Sequence, residues 1–123
     1  MPQVYRSDSA QSVDANGYVR RYVASVSLQR GVTSAGFILV TISPGVRTSR
    51  HRHDHLTETF VAMTRILARV DDDLYDLAKG DILVVAPGEA HSFETPAGSS
   101  GELIAIKMPD LHHDKVDIPD TET

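Results

Sequence analysis

Short β-branched runs recur along the chain between Gly, Pro and Asp turn signals, and helical periodicity is hard to find. Strands are predicted near residues 18–28, 37–43, 51–55, 58–63, 66–70, 74–77, 82–85, 91–94 and 103–107. The turns between them are chemically explicit. Ser43-Pro44-Gly45 and Ala86-Pro87-Gly88 set a φ-fixed proline before a permissive glycine, and Asp71-Asp72-Asp73 can cap a hairpin. Eight to ten short strands in so small a chain specify an all-β sandwich, jelly roll or barrel.

At 123 residues the chain has the size of one domain. It is read as a single domain over 1–123, with an N-terminal arm at 1–15, a core at 36–109 and a tail at 110–123. The polar arm is expected to fray or to pair with a sheet edge, and the tail to be a loose extension with a mobile end from Pro119. There is no cysteine, so any metal must be held by imidazole or carboxylate. A formal net charge of −5 argues against a nucleic-acid partner. No apolar run is long enough to cross a bilayer, and the N-terminus lacks the apolar stretch of a secretory signal, so a cytoplasmic location away from membranes is expected.

Residues 45–58 contain His51, His53 and His55 in alternation with Arg52 and Asp54, which on a strand puts three imidazoles on one face. A barrel interior wants aliphatic side chains there, so ring nitrogens turned inward need a partner, and a divalent ion is one. Glu58 follows a short Leu56-Thr57 step that can return a carboxylate towards the same ion. A second segment, residues 80–91, runs from a glycine turn through an apolar strand and a Pro-Gly turn to His91.

These two segments resemble the two motifs of the cupin superfamily. Gly45, five residues, His51, one residue, His53, four residues and Glu58 match the first motif, and Gly80, Gly88 and His91 match the second. The resemblance implies a double-stranded β-helix, the cupin or jelly-roll barrel. It also implies that His51, His53, Glu58 and His91 hold one divalent metal ion, with iron, manganese, nickel and zinc all compatible with such ligands. Three positions depart from the pattern. Arg65 stands where a glycine usually closes the first motif, Ala86 precedes Pro87 where the second motif has its proline, and Thr95 replaces a terminal asparagine that is often a structural polar group.

The remaining candidates are weaker. His55 is read as a rim residue, His112 and His113 as solvated tail residues, and Arg47, Arg50 and Arg52 as a solvated face from which Arg47 could reach an acidic substrate. Tyr75, Glu94 and Thr95 are functional candidates without a positional argument. Phe37, Leu39, Phe60, Met63, Tyr75, Ile82, Val84 and Phe93 are assigned to the core. The function expected is that of a small-molecule enzyme of oxygenase or isomerase and lyase type; the alternative is a binding or sensing module for a sugar or acid, with an anchoring or structural metal. A small-molecule ligand and a homodimer are the expected partners.

Overall fold

The computed structural model describes residues 2–119. It contains twelve strands: β1 (Gln3–Tyr5), β2 (Ser12–Ala15), β3 (Tyr18–Arg21), β4 (Gly36–Ile42), β5 (His51–His53), β6 (Thr57–Ala62), β7 (Ile66–Val70), β8 (Asp73–Leu77), β9 (Ile82–Val85), β10 (His91–Glu94), β11 (Gly101–Met108) and β12 (Lys115–Asp117). A five-stranded sheet in the order β1-β9-β6-β11-β4 faces a second in the order β12-β5-β10-β7-β8, while β2 and β3 form a separate hairpin. Every pairing is antiparallel.

Period-two alternation sends one face of each sheet into a shared core. On β7, Ile66, Ala68 and Val70 are buried while Leu67 and Arg69 are half-exposed. Leu83 of β9, Leu77 of β8 and Leu103 of β11 meet them with essentially no exposed surface. Each such side chain contributes about 1.5–3 kcal/mol on leaving water. The β7–β8 hairpin closes on Asp71 and Asp72, with Val70 opposite Asp73, and Asp71 takes a φ of 53° there. Asp tolerates that left-handed geometry, and Asp71 Oδ1 also accepts the Ala90 N–H at 3.1 Å.

The chain ends are more ordered than their composition suggests. The arm's β1 pairs with β9, one of the two outcomes expected of it. Arg6 and the Ser7 N–H then reach the buried carboxylate of Asp81 at 2.7 and 2.9 Å, and the Ala78 N–H reaches it at 2.8 Å. Gly80, with a φ of 88°, lies against Ser7 so closely that a Cβ would stand 2.9 Å from the serine side chain. The tail is not a loose extension: β12 pairs with β5 from Lys115 opposite His53 to Asp117 opposite His51. Beyond Pro119 the tail lies outside the described residues.

Two predicted features of the strands are corrected. The strand expected over 18–28 stops at Arg21, because among the described residues no strand pairs with 22–28. On β4 it is Ile38, Val40 and Ile42 that line the inner cavity, while Phe37 and Leu39 are 72% and 79% exposed. Met63 also lies largely outside the core.

Candidate metal centre

His51 and His53 are two residues apart on β5 and project to the same side. His91 opens β10 directly across from His51. Glu58 comes from the facing sheet, on β6, where it shares a face with the buried Phe60 and Ala62. Both sheets therefore deliver ligand atoms to one point, and the four donors lie within 4.8 Å of one another. His55 is not on the shared face. The strand ends at His53, and His55 turns outwards to the rim.

The hydrogen bonding prepares the imidazoles as ligands. His91 Nδ1–H donates to the Glu89 carbonyl at 3.1 Å, and His51 Nδ1–H donates to the Ser49 carbonyl at a longer 3.4 Å. A carbonyl only accepts, so both rings carry a proton on Nδ1 and turn Nε2 towards the centre. His53 is buried, and neither of its ring nitrogens has an aligned hydrogen-bond partner, although Nε2 lies 3.0 Å from Glu58 Oε1. His91 Nε2 is 3.1 Å from the same oxygen. A carboxylate oxygen only accepts, so its approach to these Nε2 atoms needs a proton or a cation between them. The buried unpaired nitrogens and the mixed N and O donor set thus fit a divalent ion.

The charge states agree with that fit. Burial, together with the neighbouring His91 and Lys115, lowers the pKa of His51 to about 4, so its ring is neutral near pH 7. Burial opposes ionisation of Glu58, but its contacts with His53 and His91 outweigh burial and lower its pKa to about 2. The donor set near neutral pH thus includes a neutral His51 and an anionic Glu58.

A cavity of about 310 Å³ lies beside the candidate ligands, with His51, His53 and Glu58 in its wall. Its wall is mainly apolar, with Ile42, Phe60, Phe93 and Leu103 prominent. The polar lining away from the ligands comes from Thr48, Lys107, His112 and Lys115. His112 thus stands on the cavity wall while remaining largely exposed and paired with Asp110 at 3.2 Å. Arg47, Tyr75, Glu94 and Thr95 do not line this cavity. Arg47 approaches Glu94 at 4.0 Å. Tyr75 packs against the core.

The departures from the motif pattern have structural explanations. Thr95 Oγ1–H donates to the Ser43 carbonyl at 2.6 Å, and the same oxygen accepts the Val46 N–H at 3.0 Å. The threonine therefore supplies a structural polar group to the Gly45 turn, where its replacement of asparagine had suggested a loss. Arg65 sits in a turn without a left-handed residue and makes a forked pair with Asp76 at 3.0 and 2.6 Å. The turn after Pro87 closes on Gly88, whose N–H donates to the His53 carbonyl at 2.7 Å. Its φ of 88° favours glycine.

Asp114 fastens the tail beside the site. Its carboxylate accepts the N–H groups of His55 and Leu56 at 2.8 and 2.9 Å, and His55 Nδ1–H at 2.7 Å. Burial works against its charge, but these donors prevail and lower its pKa from 3.8 to about 2, while Asp114 raises His55 above 6.5. A depressed carboxylate stabilises the fold above 3.8 and loses that contribution as pH falls towards about 2. A raised imidazole stabilises it below 6.5 and loses that contribution as pH rises through its folded value. Protection of the β12 amides, corrected for intrinsic exchange, is therefore expected to be greatest between pH 3.8 and 6.5. His55→Ala should abolish the decline on the alkaline side, as hydrogen exchange across that range will show.

A double-stranded β-helix in which three histidines and a glutamate converge beside an apolar cavity defines a barrel protein with a site that could hold one metal ion. Residues 38–107, more than half of the chain, match the cupin domain family, and the chain belongs to it.

Solved structures agree on the fold. A double-stranded β-helix protein of uncharacterised function from Klebsiella pneumoniae superposes with a TM-score of 0.65 at 16% identity, over 77% of this chain and 91% of its own. A cupin protein from Bacteroides fragilis gives 0.59 at 16% identity, over 72% and 87%. A dTDP sugar isomerase from Desulfovibrio desulfuricans gives 0.69 at 12% identity, over 98% and 85%. At such identities the likeness establishes the fold alone. Among curated proteins none matches the chain. Among the described residues, no helix is long and apolar enough to cross a membrane.

Proposed function

We propose that this chain is a metal-dependent enzyme that converts a small molecule bound in the cavity beside His51, His53, Glu58 and His91. The observation that carries this reading is the adjacency of a four-residue donor set, with both His53 ring nitrogens unpaired, and a mainly apolar cavity of about 310 Å³. A site that only pinned strands together would need no such cavity, and structural sites are usually closed. When bound, a divalent ion supplies polarisation of a substrate oxygen or, if it is redox-active, activation of oxygen. The chain's own residues hold Glu58 ionised, keep the His51 ring neutral and surround the substrate body with apolar side chains. Oxygen uptake and the conversion of sugars and keto acids, screened on metal-loaded and chelated protein, test the reading. Metal-dependent turnover of one compound class supports it. Metal-loaded protein that is inactive throughout the screen, with a melting temperature that collapses on chelation, favours a structural metal instead.

The enzyme is further proposed to act as a homodimer. The edge strand β4, with Phe37 and Leu39 turned outwards, is the face proposed to receive the second copy. Light scattering should return twice the chain mass, and Phe37→Glu with Leu39→Glu should return the single mass. A monomer at high concentration in the unsubstituted protein contradicts the proposal.

A further inference from the structure

On β11 the residues Leu103, Ala105 and Lys107 follow one another on the same inward face, so a lysine occupies the third position of a row that otherwise fills the core. The register is explicit: Leu103 lies opposite Ala62, Ala105 opposite Phe60 and Lys107 opposite Glu58. The lysine stem therefore enters the cavity from the strand next to the metal ligand. On its other side it faces Gly36 of β4, and the space a side chain would take there is filled by the Asp110 carboxylate, which pairs with His112.

Three basic side chains other than the candidate ligands line the cavity, and two of them have carboxylate partners. His112 is 3.2 Å from Asp110, and Lys115 is 3.7 Å from Asp117. Glu58, across from Lys107, is engaged with His53 and His91. Among the described residues no carboxylate pairs with the Lys107 ammonium within 4.0 Å. Lys107, half-buried on a mainly apolar wall and with the Asp110 carboxylate committed to His112, provides a place for an anion.

We infer that Lys107 anchors the carboxylate of the substrate, so that the cavity selects small monocarboxylic acids with an apolar body over their neutral counterparts. The inference names the substrate class of the site proposed above and rests on that reading for its catalytic meaning. The single charge follows from the lining: of its basic side chains outside the candidate ligands, Lys107 alone has no carboxylate partner within 4.0 Å among the described residues, and one ammonium balances one negative charge.

The test uses 4-phenylbutanoate and 4-phenylbutanamide as matched probes, titrated calorimetrically into the full chain in metal-free and cobalt-loaded forms. The unsubstituted protein should bind the acid about tenfold more tightly than the amide in both forms, the scale of one charge-assisted hydrogen bond. Lys107→Met should bring the two probes within about twofold of each other, with melting temperature and cobalt content unchanged, and Lys107→Arg should restore part of the preference. Equal binding of acid and amide by the unsubstituted protein, or no binding of the acid at millimolar concentration, overturns the inference. So does a preference that survives Lys107→Met or that requires cobalt, since the carboxylate then sits on the metal. Protein that takes up no cobalt yet keeps the lysine-dependent preference leaves the inference standing while removing the metal centre.

Discussion

Glu58→Gln is expected to lower turnover by at least about a hundredfold while leaving the barrel folded. Replacing a residue beyond the direct ligands of a metal typically costs about 10–100-fold, and Glu58 is proposed as a direct ligand. Its Oε1 stands 3.0 and 3.1 Å from the Nε2 atoms of His53 and His91, so it is the negative charge on which the inward nitrogens converge. Glutamine keeps the shape and one oxygen donor but removes that charge. An ion held by three histidines and an amide gains net charge, which changes the acidity of any water it binds. Steady-state rates on the compound that emerges from the screen, with metal content measured on the same samples, check this result. If the metal serves only to hold strands together, the same substitution will instead appear mainly as a lower melting temperature, because binding free energy is then folding free energy.

The second large effect belongs to stability and lies away from the centre. Asp81 is 1% exposed and accepts hydrogen bonds from Arg6, Ser7 and Ala78, so one carboxylate joins the N-terminal arm to the β8–β9 connection. Asp81→Ala leaves these donors without their acceptor, at about 1–3 kcal/mol for each that stays dry. With some donors rehydrated, a net loss of about 3 kcal/mol is expected, or roughly 10 °C in Tm for a chain of this size. Asp81→Asn retains one acceptor oxygen and should lose about half as much. Denaturant or thermal melts check both, and the arm's β1 amides should lose exchange protection in step with the melts.

The four residues that converge as candidate metal ligands are legible because their signal is local. His51 and His53 sit two apart on a strand, and the glycine and histidine spacings of both segments can be counted along the chain. What escaped depends on contacts between distant residues. The tail reads as polar and loose until Asp114 meets the backbone of His55 and Leu56, fifty-eight or more positions earlier. Lys107 carries no motif, and only its register with Glu58 places it on the cavity wall. On β4 the two faces are Phe37 and Leu39 against Ile38, Val40 and Ile42. Both are apolar, so alternation alone does not say which is inside, and pairing with β11 decides it. Residues 22–28 show the converse: a plausible strand pattern without a partner remains unpaired.

Elemental analysis of chain purified without added metal or an affinity tag addresses the metal centre most directly, with His53→Ala, His91→Ala and His112→Ala prepared in parallel. About one divalent ion per chain is expected in the unsubstituted protein and in His112→Ala, with strong loss in the other two. Unsubstituted protein that holds no ion even after loading, or full occupancy in both His53→Ala and His91→Ala, would contradict a metal centre at His51, His53, Glu58 and His91.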